Sequence, residues 1–114
     1  WQTAIQYFVQ HPFGAGLGGY PTINPHNALL LLLVHTGFIG VFFFLVLLIK
    51  MLIYCWRIYL ATQDLAARNI ILAILCGFLW FFIHSQADNI FIDDNIGMLF
   101  WLETGLIFSF GKSL

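Results

Sequence analysis

The sequence predicts an all-α membrane protein: about three transmembrane helices, preceded by an outward loop rich in glycine and proline. Two observations carry that prediction. The 114 residues are 61% hydrophobic and only 8% charged, with mean hydropathy +0.93, whereas a soluble domain has roughly 25% charged residues with which to solvate its surface. The apolar residues also gather into long runs separated by short polar breaks, as spans of about 20 residues require. A formal net charge of −1 supplies no basic footprint for nucleic acid.

Residues 1–27 form the outward segment. WQTAIQYFV sets Trp1, Ala4, Ile5, Phe8 and Val9 at helical spacing, an amphipathic pattern suited to lying along a membrane surface. HPFGAGLGGYPTINPHN follows. Its glycines and prolines break regular structure, so it must sit in water or against protein, because bare irregular backbone is not tolerated in lipid. The chain starts at Trp1, with no charged leader ahead of a short apolar core. The expectation is a piece of a longer polytopic protein, its C-terminal part, without a signal peptide.

The apolar run Ala28 to Ile49 carries no formal charge, and the first span is drawn at 28–54. Residues 55–68 are expected as a loop, with Lys50 and Arg57 snorkelling beside Tyr54 and Trp56 at an interface. The second span is drawn at 69–87, built on NIILAILCGFLWFFI, which can reach span length by borrowing Leu65 to Arg68 or the polar HSQA that follows. Residues 88–95 form an acidic turn, 96–110 a third span interrupted by Glu103, and 111–114 a tail. All four basic residues, Lys50, Arg57, Arg68 and Lys112, fall on one side of this scheme, and Asp88, Asp93 and Asp94 on the other. Cytoplasmic loops carry the Lys/Arg excess, so the NPHN turn and the acidic turn face outward as neighbours. Cys55 and Cys76 have no CxxC or Cys/His spacing and read as small apolar side chains.

Several residues invite a chemical reading. GAGLGG, Gly14 to Gly19, matches G-x-G-x-x-G but lacks the strand, helix and acidic residue of a dinucleotide site; it reads as a flexible loop, or one that shapes itself around a substrate. His26 sits just ahead of the first span, where it can titrate and face a lipid-tethered substrate, or simply cap the helix, as Asn27 can do equally well. His35 lies about 13 Å further along a helix and on about the opposite face, which suits packing; Gly37 and Gly40 suit close helix approach. His84 and Asp88, at i and i+4, fit a solvated turn better than a metal site, which needs more ligands. Glu103 within an apolar run is either functional or paired deep in the bilayer. No Ser-His-Asp order, no D-x-D and no outward Arg or Lys is present. No metal or cofactor is expected, and a diphosphate would need its cations from elsewhere.

His26-Asn27, then nine residues, then Gly37-x-x-Gly40 resembles the signature of the bacterial O-antigen ligase and polymerase superfamily. HPFGAGLGGY resembles that family's loop leading to the histidine, and MLFWLETGLI its closing helix. Val41 stands where the family often has threonine. The resemblance implies the C-terminal part of a larger polytopic GT-C-like, metal-independent glycosyltransferase of the bacterial inner membrane, its N-terminal loop in the periplasm. It implies transfer of a glycan from an undecaprenyl-diphosphate carrier to a sugar hydroxyl of the lipid A–core glycolipid acceptor. His26, the only residue that carries over, would be the general base, while diphosphate-binding arginines would come from upstream transmembrane segments; Asn27 beside it is a candidate substrate contact. A repeat-unit polymerase and a protein oligosaccharide ligase are siblings with the same histidine. A non-enzymatic membrane module, with His26 and Asn27 capping a helix and Glu103 pairing with a neighbour, is the reading from another class.

Overall fold

A computed structural model of the chain describes residues 1–16, 25–88 and 94–112, with the side chains of 94–96 and 110–112 outside that description. Gly18, Gly19 and Asp93, and the Asp94 carboxylate, therefore lie outside the described residues. The described residues form four helices and no strand: α1 (Gln2–Gln10), α2 (Ala28–Ala61), α3 (Leu65–His84) and α4 (Asp94–Lys112).

α2 and α3 are each long and apolar enough to cross a membrane. Their surfaces agree: Phe42, Phe43, Ile49, Trp56, Leu72, Trp80 and Ile83 are exposed, a contiguous apolar exterior that water does not tolerate but lipid does. Between the helices lies a core of Met51, Cys55, Ile58, Ile71, Ile74, Phe78, Phe81, Phe100 and Ile107. The Cys55 thiol reaches the Ile71 carbonyl at 3.8 Å, and neither cysteine is in a disulfide. α3 and α2 are antiparallel. Phe100 of α4 meets Phe78 and Phe81, with ring centroids 5.7 Å apart in both pairs, and Phe108 meets Tyr54 at 5.2 Å. α4 therefore runs back alongside α3 over most of its length.

The polar break between the first two long helices is shorter than the expected loop at 55–68. α2 continues through Ala61, and α3 begins at Leu65, where Asp64 caps it by accepting the Ala67 N–H at 2.7 Å. Thr62 ends α2 with its hydroxyl donating back to the Ile58 carbonyl at 2.8 Å. The apolar run after Ile49 is what extends the helix. Arg68 then lies 4.5 Å over the Tyr59 ring, so Arg57 and Arg68 lie near this end, while Lys50 stands about 16 Å back along α2.

α2 is two limbs rather than one rod. Gly37, at φ 68° and ψ −170°, interrupts helical geometry, leaving a short limb (28–36) and a long limb (38–61). The long limb alone measures about 36 Å, enough to cross the roughly 30 Å hydrocarbon core. By length and composition the apolar helix that could cross starts at Ala28, as expected, and runs to Ala61, but it carries the break at Gly37 inside it.

The direction of the short limb follows from register. Cys55 lies opposite Ile71, yet the Ala28 N–H donates to the Ser85 carbonyl at 2.8 Å. A straight α2 would carry Ala28 about 40 Å beyond Cys55, while Ser85 is only about 21 Å beyond Ile71. The short limb must fold across the end of α3 to make that bond.

Candidate functional site

The fold-over assembles a site at the end opposite Arg57 and Arg68. At the start of the short limb Asn27 is buried and acts as N-cap, its Oδ1 accepting the Leu30 N–H at 2.9 Å. Its Nδ2 donates to the Gln86 carbonyl at 2.9 Å and to Gln86 Oε1 at 3.3 Å. The last carbonyls of a helix lack partners of their own. Here those just past α3 are met by the first donors of α2, an end-to-end junction that also opposes the two helix dipoles favourably. Gln86 is held in turn by its Nε2 donating to the Phe82 carbonyl and to Ser85 Oγ, both at 3.1 Å.

His26 stands on this junction. It has φ +48°, a left-handed conformation uncommon outside glycine and typical of residues whose surroundings over-determine them. Pro25 before it is buried, and its carbonyl accepts the Trp1 indole N–H at 2.8 Å; Asn27 after it is locked as described. The His26 ring is largely exposed, and its Nδ1 lies 3.6 Å from Asp88 Oδ1. As a stability element an exposed pair of this kind is worth little. As chemistry it matters more. A carboxylate facing Nδ1 favours the tautomer whose Nε2 lone pair is open to a proton.

Asp88 was not legible as this partner from its own neighbourhood, where His84 sits one turn away. The His84 ring lies tilted against Trp80 with centroids 4.9 Å apart, and its carbonyl accepts the Asp88 N–H at 3.1 Å. The available signal was the expectation that the NPHN turn and the acidic turn are neighbours; the structure brings His26 of the first to Asp88 at the start of the second. Among the described residues no group of His, Cys, Asp and Glu is placed to hold a metal.

The remaining candidates lie elsewhere. His35 is in the short limb, and its carbonyl accepts the Gly16 N–H at 3.0 Å. Gly37 and Gly40 do not serve helix–helix approach: Gly37 meets the backbone of Pro12 and Phe13, and Gly40 meets Thr36 of its own helix. Glu103 lies between α4 and α3 against Gly77, with Oε2 buried and without a hydrogen-bond partner among the described residues.

Comparison with family models, with curated proteins and with solved structures gives no match for this chain.

Proposed function

We propose that this chain is the base-bearing part of a membrane glycan transferase, in which His26 takes the proton of a sugar hydroxyl as it attacks a lipid-diphosphate-linked glycan. The observation that supports it is the His26–Asp88 pair, fixed on a hydrogen-bonded helix junction at the end of two membrane-length helices. A sugar hydroxyl is a weak nucleophile, and a positioned histidine is the usual side chain to activate one at neutral pH. The hydroxyl oxygen bonds to the anomeric carbon, the bond from that carbon to the diphosphate oxygen breaks, and the diphosphate departs with the electron pair. The hydroxyl proton moves to His26 Nε2, and Asp88 steadies the resulting imidazolium. Apo catalytic hydrogen bonds are often long and tighten with substrate, so 3.6 Å suits such a pair.

The resemblance to the O-antigen ligase superfamily supplies the substrate class: an undecaprenyl-diphosphate donor and the lipid A–core acceptor, at the periplasmic face of the bacterial inner membrane. All four Lys and Arg residues sit at 50, 57, 68 and 112, remote in sequence from both outward turns. The diphosphate's countercharge therefore comes from other segments of the complete enzyme, and this segment alone is inactive. The test is glycan transfer by the complete protein in membranes. His26→Ala should lower it by about 10²- to 10⁴-fold with insertion unchanged, and Asp88→Asn should lower it less. Undiminished transfer by His26→Ala overturns the assignment.

A further inference from the structure

The site depends on the short limb of α2 being folded over, and the fold-over depends on the segment 12–16. Breaking a helix at Gly37 removes the ladder partners of the Phe38 N–H and of the Val34 and His35 carbonyls. Val34 and Gly37 are buried, and backbone groups orphaned where water cannot reach them are costly. Each finds a replacement from one short stretch. The Ala15 N–H donates to the Val34 carbonyl at 2.9 Å, the Gly16 N–H to the His35 carbonyl at 3.0 Å, and the Phe38 N–H to the Pro12 carbonyl at 3.2 Å.

The fit is reciprocal. A Cβ on Gly14 would lie 2.7 Å from the Gly37 nitrogen, and a Cβ on Gly37 would lie 2.7 Å from the Phe13 Cα. Both distances are to backbone, which has nowhere to move. Both glycines also hold positive φ, +88° and +68°, where other residues are strained. Two glycines far apart in sequence thus share one requirement, which is to let two backbones touch.

We propose that Gly14 and Gly37 are positioning residues: the backbone of residues 12–16, seated in the break of α2, holds the short limb across the end of α3 and thereby brings His26 to Asp88. The alternative arrangement of the same residues is a continuous α2, helical through Gly37 with its own ladder restored. That arrangement would carry Ala28 about 20 Å from Ser85 and separate His26 from Asp88 with it. The clamped arrangement is therefore the one that assembles the pair. Trp1 strengthens it from the far side by its bond to the Pro25 carbonyl. The clamp geometry stands apart from the proposed transfer reaction; only its effect on turnover rests on that reading.

The experiment uses the complete protein in its membrane, with disulfides located by peptide mapping because Cys55 and Cys76 remain. Two pairs are made separately, Ala15→Cys with Val34→Cys and Ala28→Cys with Ser85→Cys. Both should form disulfides in otherwise unchanged protein. Adding Gly37→Ala or Gly14→Ala should reduce the 28–85 disulfide by about tenfold, the effect of losing one or two backbone hydrogen bonds, whereas Gly105→Ala should leave it unchanged. Ala15→Pro, which deletes one clamp donor without altering α2, should act in the same direction and decides the matter if a glycine variant fails to insert. Without the cysteines, the clamp variants should lower kcat by about tenfold while KM moves less than about threefold. Absence of both disulfides in unchanged protein overturns the proposal, as does an undiminished 28–85 disulfide in the clamp variants. Loss of the disulfide with unchanged transfer would leave the clamp standing and overturn His26 as the base.

Discussion

At the scale of single residues the junction turns on Asn27, whose two polar atoms do separate work. Its oxygen caps the short limb, and its amide nitrogen holds Gln86. A substrate contact through this side chain would compete with bonds already made inside the chain; the geometry favours a role in seating His26 instead. The two bonds can be separated. Asn27→Asp keeps the capping oxygen but replaces the donor with an acceptor facing the Gln86 carbonyl, while Asn27→Ala removes both. In thermal unfolding of the detergent-solubilised complete protein, Asn27→Ala should destabilise by about 1 kcal/mol for the cap and about 1 kcal/mol more for the latch to Gln86. Asn27→Asp should lose the latch and retain the cap. Equal losses in the two variants would mean that the cap contributes nothing measurable.

At the scale of the elements, glycines that look alike in the sequence have different neighbours. Gly105 of α4 has nothing within 4 Å of an added Cβ, whereas at Gly77 of α3 the nearest atom is Glu103 Oε1 at 2.6 Å. That atom ends a flexible side chain, so it can move where backbone cannot. Gly105→Ala should therefore be neutral or stabilising by up to about 1 kcal/mol through helix propensity. Gly77→Ala should cost about 1 kcal/mol of crowding, and most of that cost should vanish when Glu103→Ala accompanies it. A double-mutant cycle on thermal stability measures this coupling; simple additivity would mean that Glu103 does not limit the α3–α4 approach. The same contrast explains what the sequence made legible. Long apolar runs announce α2, α3 and α4 because span length is a local property. The break at Gly37 is hidden, because an isolated glycine is commonplace in membrane helices, and the groups that stabilise the break lie in a segment before the helix begins. His26 was found from its place at the mouth of the run. Asp88 was not assigned to it, because their pairing is made by the fold-over and by no spacing in the chain.

At the scale of the whole molecule, two ends of opposite chemistry lie at the poles of a body 51 Å long and 23 by 19 Å across. One pole carries the junction, with His26, Asp88 and the N-terminal segment. The other carries the turn at 62–64, with Arg57 and Arg68 close by and the last residues of α4 returning toward it. Lys112 ends α4 and so falls at this same pole, whereas Lys50 stands near the middle of the long limb, so the expected one-sided distribution of the basic residues holds for Arg57, Arg68 and Lys112 and not for Lys50. The Lys/Arg bias sets the orientation of short-looped spans, which predicts that the turn at 62–64 is cytoplasmic and that the His26 pole lies across the membrane. The long limb of α2 is by itself long enough to cross, which predicts that the short limb, lying over the far end of α3, stays at the outer boundary. Reporter fusions to the complete protein test the orientation directly. Alkaline phosphatase, which folds only outside the cytoplasm, should be active when joined after Asp88 and inactive after Gln63, and a fluorescent protein that matures only in the cytoplasm should give the reverse pattern. Moving the fusion point from Gln63 to Thr36 should switch the phosphatase on, since the short limb has not yet entered the bilayer. Phosphatase activity at Gln63 with none at Asp88 would invert the molecule and put His26 on the cytoplasmic side, out of reach of a donor presented at the outer face.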